Sequence, residues 1–377
     1  MVGRGGGRGV GDLRMPELGI PPGLVSAEPR IEVDGQDQPA LAAGLLSLLV
    51  EETIDGLYRC EARFGNWGSR GGQPEHLYLD RQLLDFGKPL TVRLGAGDSE
   101  GEVFRGRISG LEAQYGGNAP PSLVVLAEDR AQDLRKVRRT RVFEDQTDAD
   151  AFRQIAGEHG LQAEIDLNGP THKVLAQVNQ SDLAFIRERA RWLDGEVWLE
   201  DRTLHVQPRP RRVHGDDFTL RLDQGLLDFT VSADLAQQHS SLVVSGWDVQ
   251  AKDRLSYEAT DQALGNELGD DESGPAILSR AFGERVDRLV HRVPLSSAEA
   301  QALAEATFRA QVRRFVSGVG TARGDARLRV GVKVTLLGLG AMFEGAYYVS
   351  EVRHVFTRRA GGGYSTELGV ERMGLGR

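Results

Sequence analysis

Cysteine is almost absent: the 377-residue chain has one, Cys60. A single thiol excludes an intramolecular disulfide and any cysteine metal cluster, so nothing in the chain calls for an oxidising compartment. Long apolar runs are lacking as well. The stretch from Leu41 to Val50 is too short to cross a bilayer and has no cationic region just before it, so the expectation is no signal peptide, no membrane insertion and assembly in the cytoplasm. Positive charge is not in excess, since 46 Lys and Arg against 55 Asp and Glu leave a net charge of −9. That balance argues against a dedicated nucleic-acid binder, which needs a basic face for phosphates.

The residue sets that carry chemistry are also missing. No two of the eight histidines stand at His-x-x-x-His spacing. Cys60 sits in a strand-like run between Arg59 and Glu61, a poor setting for a nucleophile. Asp216-Asp217 and Asp270-Asp271-Glu272 are sequence neighbours in polar stretches, whereas a glycosidase needs two carboxyl groups held across a cleft. Gly95-Ala96-Gly97 and Gly338-Leu339-Gly340 lie between strands, with no helix N-terminus behind them to bind phosphate. The expectation is therefore no catalytic, cofactor or metal site.

What is present is glycine, 47 residues of it, and a pattern that occurs twice. From Val92 and again from Val334 the chain runs as a short apolar strand, a Gly-rich turn, a Phe-x-Gly step, a long alternating strand, a Gly loop and a closing strand. The Phe-x-Gly steps are Phe104-Arg105-Gly106 and Phe343-Glu344-Gly345. Such a repeat predicts two related β-modules in series. Strict period two fails in the first long strand, which predicts a bulge near Gly110.

Between the repeats the periodicity turns helical. Thr147 or Asp148 caps a helix through Phe152 and Ile155, and Ser181 caps a second through Leu183, Ile186 and Ala190, stopped by Asp194-Gly195. A hairpin around Glu200-Asp201-Arg202 follows, and Pro208-Arg209-Pro210 reads as a stiff connector. The Gly/Arg-rich residues 1–25 cannot bury enough surface to order themselves and read as a flexible arm. The expected plan is a mainly β chain with an α+β insert: a first antiparallel barrel-like domain over 26–135, a small insert over 136–207, and a second barrel-like domain over 208–377 with a long helix at 296–315. The polar, acidic stretch from Leu264 to Pro275 reads as an exposed loop, mobile until it meets a partner.

Two features are candidate contact surfaces. The run Arg135, Lys136, Arg138, Arg139 and Arg141 offers cationic contacts to the Asp270–Glu272 loop of a neighbouring subunit or to cargo in a channel. Tyr347 and Tyr348 point to opposite faces of one strand, which predicts one core ring and one exposed interface anchor.

The run Gln177-Val178-Asn179-Gln180-Ser181-Asp182, continuing through Phe185, Arg187, Ala190 and Gly195, resembles the "Q-x-x-E-S-D-x-x-F-x-x-R-L-A-x-x-x-G" signature of the VgrG and phage late control protein D family. Gly345-Ala346-Tyr347-Tyr348-Val349, His354 and Gly363-Tyr364-Ser365-Thr366 resemble its "G-x-Y-x-V-x-x-x-x-H" and "G-Y-x-T" patterns. Asn179 and Gln180 depart from it where an acidic residue usually precedes Ser-Asp. The resemblance implies a phage tail hub-like fold and a structural role: a homotrimeric baseplate hub of a contractile injection system or phage-like tail. Two barrels per chain would form a pseudo-sixfold ring between the sixfold inner tube protein and a threefold spike. It further implies contacts with other baseplate components, cargo or a tape-measure protein in the lumen, and residence in the assembled particle. The sequence closes soon after Met373 without the OB-like and needle domains of full-length VgrG proteins, so the expectation is a spike supplied as a separate polypeptide. Two rival classes are a tail-associated cell-wall-degrading enzyme and an adhesin or carbohydrate-binding module.

Overall fold

The computed structural model describes residues 29–70, 72–117, 119–212, 214–215, 217–248, 252–358 and 363–376. The expected arm over 1–25 lies outside the described residues. The chain opens with β1 (Arg30–Val33), β2 (Gln36–Asp37), α1 (Pro39–Gly44), β3 (Leu45–Thr53), β4 (Arg59–Gly65), the small hairpin β5 (Trp67–Arg70) and β6 (Gln73–His76), then β7 (Pro89–Leu94), β8 (Gly101–Gln114) and β9 (Ser122–Glu128). Hydrogen bonding runs in the order β1-β7-β8-β9-β4-β3. Alternation of buried and exposed residues along β3 and β4 points Leu45, Leu48, Val50, Cys60, Ala62 and Phe64 into one apolar core. Among the described residues β1 and β3 are not paired, and α1 covers the opening with its buried Leu41.

Next come α2 (Ala131–Arg135), β10 (Arg138–Gln146), α3 (Asp148–Glu158), β11 (Gln162–Ile165), β12 (His172–Ser181), α4 (Asp182–Trp192), β13 (Gly195–Glu200) and β14 (Thr203–Pro208). The Thr147 and Ser181 hydroxyls accept the amides of Asp150 and Ala184, the local chemistry that starts α3 and α4. A second core, from Ala131 and Leu134 of α2 to Val206 of β14, holds this insert together.

The remainder contains β15 (Phe218–Leu222), β16 (Gly225–Ala233), β17 (Ser241–Asp248), β18 (Asp253–Ala259), β19 (Glu272–Ser273), α5 (Gly274–Phe282), β20 (Val286–Leu289), α6 (Ser297–Val312), β21 (Val316–Arg323), β22 (Lys333–Leu337), β23 (Gly345–Thr357), β24 (Tyr364–Arg372) and β25 (Gly374–Leu375). Strands β23-β22-β15-β16-β21-β24 close into a six-stranded barrel, because β23 and β24 also pair. The weakest joint of the ring is β15 to β16, which pair only at Arg221 with Gly225 and Leu222 with Leu226. The long helix α6, capped by Ser296, does not line this barrel. It packs on the small sheet β18-β17-β20 around a core of its own that includes Leu242, Val244, Ala304 and Phe308. The fold is thus mainly β, with few helices.

The repeat is a repeat of structure. Strands β3-β4-β9-β8-β7 and β16-β21-β24-β23-β22 are joined in the same order, all antiparallel. Both units also interrupt their ladders at matching places. One interruption lies between Leu45 and Ser47 and again between Leu226 and Asp228; the other lies between Ile108 and Gly110 and again between Val349 and Glu351. The extra residue of the second is Ser109 in one copy and Ser350 in the other, and each hydroxyl donates across the ladder, to Leu126 O at 3.4 Å and to Gly369 O at 3.3 Å. The sequence alignment of the two copies needs one correction. The ladders set Phe104 level with Gly345, because Phe104 lies inside β8 while Phe343 lies in the turn before β23. The units part company at their last neighbour, β1 being antiparallel to β7 and β15 parallel to β22.

Candidate functional site: the seam that joins the barrels

The two barrels share a strand. Gly345–Tyr348 of β23 pair with β22, and from Glu351 to Thr357 the same edge pairs with β3 of the first barrel. The side chains follow the backbone: Tyr347 and Val349 enter the core of the second barrel, and Phe356 enters the core of the first.

Beside this strand lies a buried polar cluster. Glu196 of β13 accepts Arg209 Nε at 2.8 Å, Arg212 Nη1 at 3.0 Å and the Tyr348 hydroxyl at 2.7 Å. Arg209 reaches on to Glu371 of β24 at 2.8 Å, and Arg212 donates to the Tyr58 hydroxyl at 2.8 Å. The guanidinium of Arg209 lies 4.2 Å from the Tyr348 ring centre and that of Arg212 lies 4.6 Å from Trp198, which stacks in turn on His205. Burial opposes ionisation of Glu196, but Arg209 and Arg212 outweigh it and hold the carboxyl below its ordinary range. Burial, with the Glu196 charge beside it, pushes the Tyr348 phenol up, so it stays a donor. The proline-flanked connector is thus an anchor, locking the insert to both barrels.

A second cluster crosses the same seam. Glu52 of β3, 1% exposed, is paired with Arg329 and accepts the Val330 amide at 3.2 Å. Close by, the Nδ1 of fully buried His354 shares a hydrogen bond of 2.8 Å with the Tyr364 hydroxyl. Burial lowers the imidazole to about 4, so it is neutral across the physiological range.

These contacts give the two sequence motifs a physical meaning. His354, Tyr364 and Thr366 converge on one buried hydrogen-bonding point. In the other motif, the Gln177 amide donates to the Asp182 carboxylate at 2.9 Å and to Gln180 O at 3.0 Å, while Ser181 caps α4. Asp182 also takes Arg141 Nη2 at 2.8 Å and contacts His159 at 2.8 Å. Both motifs are braces.

The same bracing reaches the candidate surfaces. Arg141 and Arg139 turn inward to Glu158 and Asp182, and Arg135 binds Glu128 at 2.5 Å, so these three spend their charge within the chain. Arg138 donates to Asn179 O at 3.3 Å from an exposed position, and Lys136 is exposed. Tyr347 is the core ring of the two, and Tyr348 is partly buried with its hydroxyl committed to Glu196. The acidic stretch is not a free loop. Residues Asp261–Glu267 form a 3-10 helix with Leu264 buried, Glu267 binds Arg313, Asp271 binds Arg372, and Gly274 and Pro275 begin α5. Asp271 and Glu272 are paired with Arg372 and Arg280 of the same chain.

A groove of about 950 Å³ opens between this stretch and the second barrel, lined in part by Asp194, Glu267, Asp271 and Glu371. Each of these carboxylates is bound by an arginine, namely Arg313, Arg313, Arg372 and Arg209. Among the described residues no three His, Cys, Asp or Glu side chains are grouped to hold a metal. No helix among them is long and apolar enough to cross a membrane.

One contact in the seam is pH-sensitive. His172 of β12 bridges Asp148 at 2.8 Å and Glu299 of α6 at 2.9 Å, with Arg189 also 3.0 Å away. The hydrogen bonds to Asp148 and Glu299 raise the imidazole from 6.5 to about 9. Its stabilising contribution is complete below about pH 6.5 and is lost as pH rises through about 9. Denaturant midpoints measured between pH 6 and 10 are expected to fall over that upper range, and His172→Gln should flatten the change.

The residues that build this seam span nearly the whole chain, and so does its family match. The model of the Alg8 N-terminal domain family matches residues 30–358. The chain belongs to the Alg8 N-terminal domain family. No curated protein matches it in sequence. Among solved structures it is similar to the 43 kDa tail protein of prophage MuSo2 from Shewanella oneidensis, with a TM-score of 0.66 at 11% identity over 92% of this chain and 98% of that one. A tail protein from Neisseria meningitidis MC58 gives 0.64 at 14% identity over 92% and 97%. A component of the type VI secretion system of E. coli, described as structurally similar to the T4 bacteriophage tail proteins gp27 and gp5, gives 0.57 at 11% over 90% and 76%. At these identities the likeness is one of fold.

Proposed function

We propose that this member of the Alg8 N-terminal domain family is a structural component of a phage-like tail or contractile injection system, acting as a trimeric baseplate hub that adapts a sixfold inner tube to a threefold spike. The observation that supports it most is the duplicated five-strand unit: each chain carries two kindred barrels fused through β23. Three such chains would present six similar barrels around one axis, the geometry that matching a hexamer to a trimer requires. The fold held in common with the tail proteins of Shewanella oneidensis and Neisseria meningitidis supports the same reading, as do the motifs resembling VgrG and late control protein D. On this view the residues over 26–135 and 208–377 serve as the two ring domains, and the role is mechanical and not catalytic. Exposed Lys136 and Arg138 remain available for contact with neighbouring baseplate components or with cargo in the lumen.

The carbohydrate-binding rival would draw on Trp67, His76 and Tyr115, an exposed aromatic group. Their rings meet edge-on at 74° and 86°, so they do not form a flat platform for a sugar face.

The test is the mass in solution of the purified chain, alone and co-expressed with tube and spike proteins of the same source. Three copies per particle and co-purification with both are expected. A stable monomer that ignores both would overturn the proposal.

A further inference from the structure

The internal repeat leaves one strand pairing unmatched. In the second unit, β23 pairs first with β22 and then, from Glu351, with β3. Its counterpart β8 pairs with β7 only as far as Arg107 and with β9 along its other edge. Among the described residues no strand occupies the β7 side of β8 from Ser109 to Gln114. The counterpart of β3 is β16, which pairs with β21 along its length but touches β15 only at Gly225 and Leu226. Each chain therefore carries two open edges, one on each barrel, and they are the pair that the β23·β3 contact already joins in cis.

Resting on the hub reading above, we propose that the open edge of β8 in one copy of this chain is completed by β16 of a second copy. Carrying the β23·β3 register across the repeat gives Leu111 opposite Ala233, Glu112 opposite Ser232, Ala113 opposite Val231 and Gln114 opposite Thr230. The exposures on the β8 side fit a missing partner. His354 and Phe356 in the paired copy are 0% and 5% exposed, whereas Ala113 is exposed and Tyr115, one residue beyond β8, is 65% exposed. On the facing strand Leu48 is 2% exposed, while its counterpart Phe229 is only partly buried. The same register brings Tyr115 against Phe229, placing two incompletely covered rings together. A main-chain ladder satisfies the open backbone groups of both edges, and because the two edges differ the contact is head-to-tail, the type that closes a ring.

The test uses the full chain carrying Glu112→Cys and Ser232→Cys. Both positions are exposed, and the native Cys60 is buried. Directly opposed antiparallel residues sit roughly 4.5–5.5 Å apart at Cα, within the reach of a disulfide. Oxidation is expected to give a covalent ring of three chains on a non-reducing gel, at least tenfold more than from Ala113→Cys with Ser232→Cys, whose side chains leave opposite faces. In parallel, Tyr115→Glu, at an exposed position of the single chain, is expected to weaken self-association at least tenfold without moving the melting temperature of the dissociated chain. Three-copy particles that neither crosslink at these positions nor respond to Tyr115→Glu would overturn the pairing and leave the hub reading standing. A chain that stays monomeric and uncrosslinked would overturn both.

Discussion

Glu196→Ala is expected to destabilise the folded chain by about 3–5 kcal/mol, the usual cost of removing one partner from a buried ion pair. Glu196 is 8% exposed and is the shared acceptor of Arg209, Arg212 and Tyr348. Without it two guanidinium groups, 6% and 1% exposed at the residue level, face one another with Glu371 as the remaining nearby carboxylate. The loss falls on the joint itself, since the cluster ties Tyr58 of the first barrel region to β13 of the insert and to β23 and β24 of the second barrel. Glu196→Gln keeps an acceptor in place and should cost less. Denaturant midpoints of the two variants decide the matter; a change under about 1 kcal/mol for alanine would mean that the cluster behaves like a solvated surface pair.

Phe356→Ala should cost a similar amount, about 3–5 kcal/mol, as large-to-small changes at buried phenylalanines do. Its significance lies in where the ring sits. Phe356 belongs to β23, whose first half is part of the six-stranded barrel, yet its side chain is 5% exposed within the core of the first barrel. Its removal hollows the core of one barrel through a strand owned by the other. The expected signature is earlier unfolding of the first barrel, seen as faster amide exchange in β3 and β4 than in β21 and β24. Equal acceleration everywhere would show that the barrels do not unfold as separable units. Phe356→Leu refills most of the space and should recover much of the loss.

The features legible in the sequence are those set by near neighbours. Ser181, and Thr147 as one of two candidates, could be read as caps because a cap needs only an oxygen three residues ahead of an amide. The bulge near Gly110 could be read because alternation fails locally there. The repeat itself was legible as a pattern, but its register was misjudged by two residues at Phe104 and Phe343, since only the cross-strand ladder says which residues are level. The partners of the basic run and of the acidic stretch were not legible for a related reason. Arg141 meets Asp182 and Arg372 meets Asp271 only after the chain has folded back, and nothing in a charge's immediate neighbours marks it as paired. Arg212, the largest fully buried side chain, stands in a run of Pro and Arg that looks entirely solvated.

By itself, the amino-acid sequence determined the mainly β class, two capped helices of the insert and the duplication, because periodicity, caps and composition act over a few residues at a time. Only the tertiary structure decided that β23 serves two barrels, that α6 builds a core of its own and that charged side chains at the seam are buried. Those outcomes depend on which strand edges and which charges come to face each other, and that is a property of the closed fold, in which the hydroxyl of Tyr58 and the guanidinium of Arg212 become hydrogen-bonded neighbours.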